Sequence, residues 1–224
     1  MSQPTNRNAI IPRPGKLDGS LKEFWAENPW QIITEGNNLS SFERNRLFIN
    51  RNGKGFLEAS HLSGADSDGD GRSAVAADLF NTGRMDLVVR QSGGGALLLY
   101  ENQLPARSSL RITLRGSTSN RQGIGARLVA EVAGRRIVRE NYPANSYFSQ
   151  APAIVHLGLG DARQIDKLTI HWPSGKTQVM ANLPAGGHIA IEEAGEGLAA
   201  VKPLAPSAAL GHRRGLAPGK FSAA

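Results

Sequence analysis

The second half of this chain alternates between apolar and polar side chains, and that rhythm constrains its fold more than any other feature. Leu110, Ile112 and Leu114 alternate with Arg111, Thr113 and Arg115. Leu128, Ala130 and Val132 share one face. Leu168, Ile170 and Trp172 share another, opposite Lys167, Thr169 and His171, and Ile189 and Ile191 close the set. In a strand successive side chains point to opposite faces, so a period of two marks a half-buried strand. Six or seven such strands over about ninety residues, with no helix-length periodic segment between them, predict an antiparallel β-sandwich of immunoglobulin-like kind. Its expected bounds are residues 105–194, with Leu168, Ile170 and Trp172 in the core.

The first half is built differently. Residues 1–19 are polar with three prolines and are expected to be disordered. Ser20 and Glu23 fit a capping box, which predicts a short helix carrying Leu21, Phe24 and Trp25 and ending before Pro29. Trp30, Ile32 and Ile33 form an apolar patch after it. From Arg46 the pattern turns to β: RLFIN and FLEAS read as a hairpin around Asn52-Gly53. A turn-rich acidic stretch follows, closed by a strand at Leu87–Val89. Gly93–Gly95 reads as a turn and Ala96–Glu101 as a further strand. Residues 20–104 thus read as a helix plus a β repeat resembling part of a propeller blade. Beyond Gly195 the chain is rich in Ala, Gly, Pro and Leu without period, and residues 195–224 are expected to be a disordered tail.

A two-stranded hairpin is marginal alone, and open sheet edges pair with other chains unless covered. Leu47, Phe48, Phe56, Leu87, Val88 and Leu98 therefore need a cover. The helix and the sandwich of the same chain are the first expectation, and self-association or pairing with a propeller portion the second.

Several function classes drop out on composition. The chain has no cysteine, which removes disulfides, thiolate metal sites and cysteine nucleophiles together. No apolar run approaches the roughly 20 residues of a membrane span. The opening MSQPTNRNAIIPRPGK shows no export-signal core. The net charge of +7 is uneven: residues 105–194 hold 11 Lys/Arg against 6 Asp/Glu. Such a basic half could meet polyanions through Arg111, Arg115, Arg121, Arg127, Arg135, Arg136 and Arg139. These arginines are dispersed and not interleaved with aromatics, which argues against nucleic acid.

Two carboxylate clusters carry the most informative chemistry. In Asp66-Ser-Asp68-Gly-Asp70-Gly71, alternate carboxylates followed by glycine let a tight loop curl oxygens around a hard cation such as Ca2+. The closing carboxylate is missing, since Ala74 and Ala77 stand where one is expected. The second cluster runs from Asp78 through Gly83 to Asp86, with Phe80 where an inner oxygen ligand would be useful. The competing reading of both is a loop whose carboxylates accept from nearby backbone N–H groups. Asp66, Asp68, Asp70, Asp78 and Asp86 are therefore the candidate calcium ligands.

Other motifs point away from catalysis. Gly123-Ile-Gly125-Ala-Arg127 lacks the third glycine and following helix of a dinucleotide loop, so it reads as a tight turn entering a strand. His156-Leu-Gly158-Leu-Gly160 reads as a strand end running into a turn. His61, His156, His171, His188 and His212 form no HExxH pair. A triad drawn from Ser149, His156 and Asp161 lacks the GxSxG elbow of a hydrolase. Asn38-Leu-Ser40 matches a glycosylation sequon.

The blocks SNRQGIGARL, SYFSQ and HLGLGDARQIDKLTIHWPSGKTQVMANLPAG, in that order over residues 108–193, resemble the ASPIC/UnbV domain. That domain is typically found C-terminal to FG-GAP/VCBS repeats in the cartilage acidic protein-like family. SGADSDGDGRSAVAADLFNTGRMDLVV is similar to one such repeat, a calcium loop of form D-x-D-x-D-G-x-x-D between propeller strands. Asp78, Gly83 and Asp86 match its first, sixth and ninth positions, while Phe80 and Thr82 depart from the third and fifth. The resemblance implies a secreted, extracellular or periplasmic protein serving adhesion or binding, of which this chain is a C-terminal portion.

The expected function is a non-catalytic binding or adhesion module, with a calcium-stiffened loop as an option, presenting its sandwich to a glycan or protein. A hydrolase accessory domain or degenerate enzyme is the first alternative. A polyanion binder using the basic sandwich is the second.

Overall fold

The computed structural model describes residues 3–4, 37–38, 44–92, 96–145, 147, 149–194, 201–204 and 219–221. The expected helix around Phe24 and Trp25, and the Gly93–Gly95 turn, lie outside them. The fold is mainly β. Among the described residues no helix is long and apolar enough to cross a membrane. The chain divides into two compact units, one of residues 1–72 and 89–98, the other of residues 73–88 and 99–224.

In the smaller unit, β1 (Gln3–Pro4) pairs with β2 (Asn37–Asn38), and β3 (Phe48–Asn50) pairs antiparallel with β4 (Phe56–Glu58). The β3–β4 turn is the expected one. Asn52 and Gly53 both take positive φ, 54° and 77°, and the Lys54 N–H donates to the Arg51 carbonyl at 3.1 Å. Positive φ at both central residues matches the right-handed twist of a hairpin. A one-turn helix, α1 (Ser60–Ser63), follows. The Ser60 hydroxyl accepts from the Leu47 N–H at 2.7 Å. Phe48 and Phe56 stay 55% and 68% exposed, so among the described residues these two of the residues needing cover are not enclosed.

The larger unit holds the sandwich. Its strands are β8 (Ser108–Arg115), β9 (Arg127–Val132), β10 (Arg135–Glu140), β13 (Ile154–Gly160), β14 (Gln164–His171), β15 (Thr177–Pro184) and β16 (His188–Glu192). Short strands β11 (Ala144–Asn145) and β12 (Ser149–Gln150) pair with each other between them. One sheet has the order β10-β9-β14-β15 and the other β13-β8-β16-β17, where β17 is Val201–Leu204. The alternating residues meet between the sheets. Leu110, Ile112, Leu157, Leu159 and Ile191 of one sheet and Leu128, Ala130, Ile165, Leu168 and Ile170 of the other are fully buried in one cluster with Trp172. Burying each leucine or isoleucine among them contributes roughly 1.5–3 kcal/mol, so this core is the main source of the unit's stability.

One pairing departs from the antiparallel expectation. β16 runs parallel to β8, with His188 beside Arg111 and Glu192 beside Arg115. The chain leaves β15 in one sheet and crosses to the other through Ala185–Gly187. Gly186 and Gly187 take φ of 91° and 75°, a sharp reversal that side-chain-bearing residues rarely adopt. The Gly186 N–H donates to the Ser109 carbonyl, which seats the crossover against the start of β8.

Before the sandwich lie β5 (Asp70–Ala77), β6 (Asp86–Ser92) and β7 (Leu98–Asn102), in the sheet order β18-β7-β6-β5, where β18 is Gly219–Phe221. The stretch read as turn-rich and acidic therefore contains an eight-residue strand. Within it only Val75 favours extension, so the strand is set by its pairing with β6 and not by local propensity. Of residues 195–224, Val201–Leu204 pairs with β16 and β18 (Gly219–Phe221) pairs parallel to β7; the rest of the expected tail lies outside the described residues.

Candidate functional site

Of the five candidate calcium ligands, Asp66, Asp68 and Asp70 precede or open β5. Asp66 accepts from the Arg44 guanidinium at 3.0 Å and faces the His61 ring at 3.5 Å. Its carboxyl is held below the usual range: burial works to raise it, but the His61 hydrogen bond and the Arg44 charge outweigh that. The Asp70 side chain is not among those described.

Asp78 and Asp86 frame the loop between β5 and β6. The Asp78 carboxylate accepts from the Thr82 N–H at 2.8 Å and the Gly83 N–H at 2.9 Å. Asn81 and Gly83 take positive φ, 54° and 78°, which turns those N–H groups inward. Asp86 is buried and ties two elements, accepting from the Leu79 N–H at 3.0 Å and the Asn102 N–H at 2.8 Å. Burial pushes its carboxyl up, and the nearby Asp78 adds to this, against the lowering effect of the two N–H donors. Among the described residues no group of three or more His, Asp or Glu side chains is placed to share a metal ion.

This loop lies over the outer face of β8 and β13. The Arg111 guanidinium donates to Asn81 Oδ1 at 2.8 Å and lies 3.3 Å from Asp78. The His156 Nε2–H donates to the Gly83 carbonyl at 2.9 Å, which fixes its tautomer. Burial lowers the His156 pKa, only partly offset by that carbonyl. The drawn triad is not assembled. His156 serves the loop, and Asp161 pairs with Arg107 beyond the end of β13. Four residues separate them along β13, which at about 3.3 Å per step sets their Cα atoms at most about 16 Å apart.

A third feature was not legible in the sequence. Glu193, just past β16, is 5% exposed and fills a nest in the loop after β8. It accepts from the backbone N–H groups of Ser117, Thr118 and Ser119 at 2.7–2.8 Å and from the hydroxyls of Ser119 and Ser174. Burial would raise its pKa, but the Ser174 hydroxyl and the three N–H groups outweigh it and hold the carboxyl down at about 2. Consecutive N–H groups converging on one point form an anion cradle, here filled by the chain's own carboxylate.

The rest of that loop is equally fixed. The Asn120 side chain bridges both backbone groups of Ile124, and Asn141 Nδ2 donates to the carbonyls of Gln122 and Gly123. Gly123, at φ 61°, leaves no room for a Cβ, which would come within 2.8 Å of Leu114 and 3.1 Å of Trp172. Along this loop and the end of β8 runs an open groove of about 1110 Å³. Thr113, Arg115, Arg121, Gln122 and Ile124 line it. Arg115 faces Glu192 at 3.7 Å, a weak exposed pair. Among the described residues the Arg121 and Gln122 side chains make no hydrogen bond or ion pair.

Two of the remaining arginines, Arg127 and Arg136, share the outer face of the β10-β9-β14-β15 sheet, but each stands beside a carboxylate. Arg127 faces Glu140 and Arg136 faces Glu131 across the β9–β10 ladder. Arg135 donates to the Leu159 carbonyl. Arg111 is spent on the loop, so it does not belong to a free basic face.

Fold and geometry together define a two-sheet β-sandwich domain with a rigid, arginine-bearing loop at one end. Residues 116–197 match the ASPIC and UnbV family model, which is less than half of the 224-residue chain. No curated protein matches the chain.

Proposed function

We propose that the chain is a non-catalytic binding module whose ligand surface is the groove between Arg115 and Arg121. The observation that carries this reading is a contrast within one loop. Its backbone is held by Glu193, Asn120, Asn141 and the wedge at Gly123, yet the Arg121 and Gln122 side chains it presents are unspent. A recognition surface benefits from such preorganisation, because less ordering entropy is lost on binding. Two guanidiniums flanking a groove suit a ligand carrying carboxylate or sulfate groups, which they can grip bidentately. The amide of Gln122 and the flank of Ile124 suit the hydroxyls and ring faces of an acidic glycan.

Calorimetric titration of the full chain with uronate and sulfated oligosaccharides tests the reading. Arg121→Ala is expected to weaken binding about tenfold, the scale of one charged hydrogen-bonded contact. Arg127→Ala and Arg136→Ala should leave affinity nearly unchanged. Equal losses from all three variants, with a steep salt dependence, would instead favour the polyanion reading.

A further inference from the structure

We infer that Arg111 is the resident cation of the Asp78–Asp86 loop, so that this loop, patterned like a calcium loop, is closed by a guanidinium of the sandwich instead of a divalent ion. Calcium takes 6–8 oxygen ligands at about 2.3–2.6 Å. The oxygens here do not fit that demand. Phe80 supplies no side-chain oxygen. Thr82 Oγ1 already accepts from the Arg84 N–H, and each oxygen of Asp86 is held by a backbone N–H. Each oxygen of Asp78 likewise accepts from a backbone N–H, and the Arg111 guanidinium stands 3.3 Å from its Oδ2. A divalent ion on that oxygen would sit against a fixed positive charge in a setting where the Asp78 side chain is 2% and the Arg111 side chain 13% exposed. Repulsion between charges is strong where water is excluded.

Arg111 also does what an ion could not. It reaches up from β8 to both Asp78 and Asn81, so neutralising the loop and anchoring it to the sandwich are one interaction. The His156 hydrogen bond to Gly83, from the neighbouring strand, is the second anchor. The spacing of aspartate and glycine in the loop then serves N–H capping, and the charge that normally arrives from solution arrives from the fold.

Thermal melts of the full chain in chelator and in millimolar calcium decide the matter, using wild type, Asp68→Asn, Asp78→Asn, Arg111→Met and Arg111→Lys. The wild-type midpoint is expected to be the same in both buffers. Arg111→Met is expected to melt roughly 4–8 °C lower. Arg111→Lys keeps the charge but not the fork, and should fold with a smaller loss. Calcium stabilisation of wild type that Asp68→Asn removes and Asp78→Asn leaves intact would place an ion at the earlier cluster and support the assignment here. Calcium stabilisation that Asp78→Asn abolishes would overturn it, as would an Arg111→Met midpoint equal to wild type.

Discussion

Replacing Glu193 by glutamine tests how far one buried carboxylate holds the sandwich end together. A fall in its pKa from the ordinary value near 4.5 to about 2 corresponds to about 3.4 kcal/mol favouring the ionised native state. The surrounding loop is open, with Ser117, Thr118 and Ser174 exposed. Solvent screening therefore reduces that figure, to about 2 kcal/mol. Glutamine keeps the shape but turns an amide donor toward groups that donate. Glu193→Gln is thus expected to cost about 2 kcal/mol at neutral pH, and Glu193→Ala about 2–4 kcal/mol because three N–H groups lose their acceptor. The pH dependence carries the sharper test. A carboxylate with a depressed native pKa contributes stability that is complete above its unfolded value near 4.5 and is lost as pH falls toward 2. Urea denaturation of wild type and Glu193→Gln from pH 8 down to pH 3 should therefore show a constant gap above about pH 5 that narrows below it. A gap that stays constant through pH 3 would show that packing, not charge, is at stake. No gap at pH 7 would refute the nest as a stabilising device.

Three further outcomes follow from the core and its turns. Trp172→Ala, at a side chain 3% exposed between the sheets, should cost about 3–5 kcal/mol in chemical denaturation. Gly123→Ala should cost roughly 2–4 kcal/mol, from left-handed backbone strain and the crowding of Leu114 and Trp172. Excised residues 105–194 should fold alone with a β-type circular dichroism spectrum and a cooperative melt, and a helical or non-cooperative signal would count against an independent sandwich.

The sandwich was legible because its strands obey a local rule. Leu110, Ile112, Leu128, Leu168 and Ile170 bury where alternation placed them, and the positive φ of Gly123 and Gly125 fits the turn read at their position. What escaped was set by distant partners. Nothing local says that β16 joins β8 in parallel, since that depends on where a crossover lands. The acidic stretch looked loop-like through Asp70 because aspartate and glycine dominate the local signal, yet β5 runs on through Ala77. The same limit applies to the site. Arg111 read as one arginine among seven on a basic surface, and only its register beside His156 and its reach to Asp78 give it a role. Glu193 carried no motif at all, because the N–H groups of its nest lie more than 70 residues upstream in sequence and belong to the backbone.

The parallel pairing of β8 with β16 has a mechanical consequence. β8 is the first strand of the sandwich and β16 the last before the C-terminal segment, and they lie side by side from Arg111–His188 to Arg115–Glu192. A pull on the chain before β8 and after β16 draws the two strands past each other along their common axis. The ladder between them is then loaded in shear, so its hydrogen bonds must fail together instead of opening one at a time. By contrast β17, antiparallel on β16, can peel from its end when the pull comes from further along the chain. A domain wired this way resists stretching along the line of its own chain, with the Glu193 nest reinforcing the point where β16 leaves the sheet.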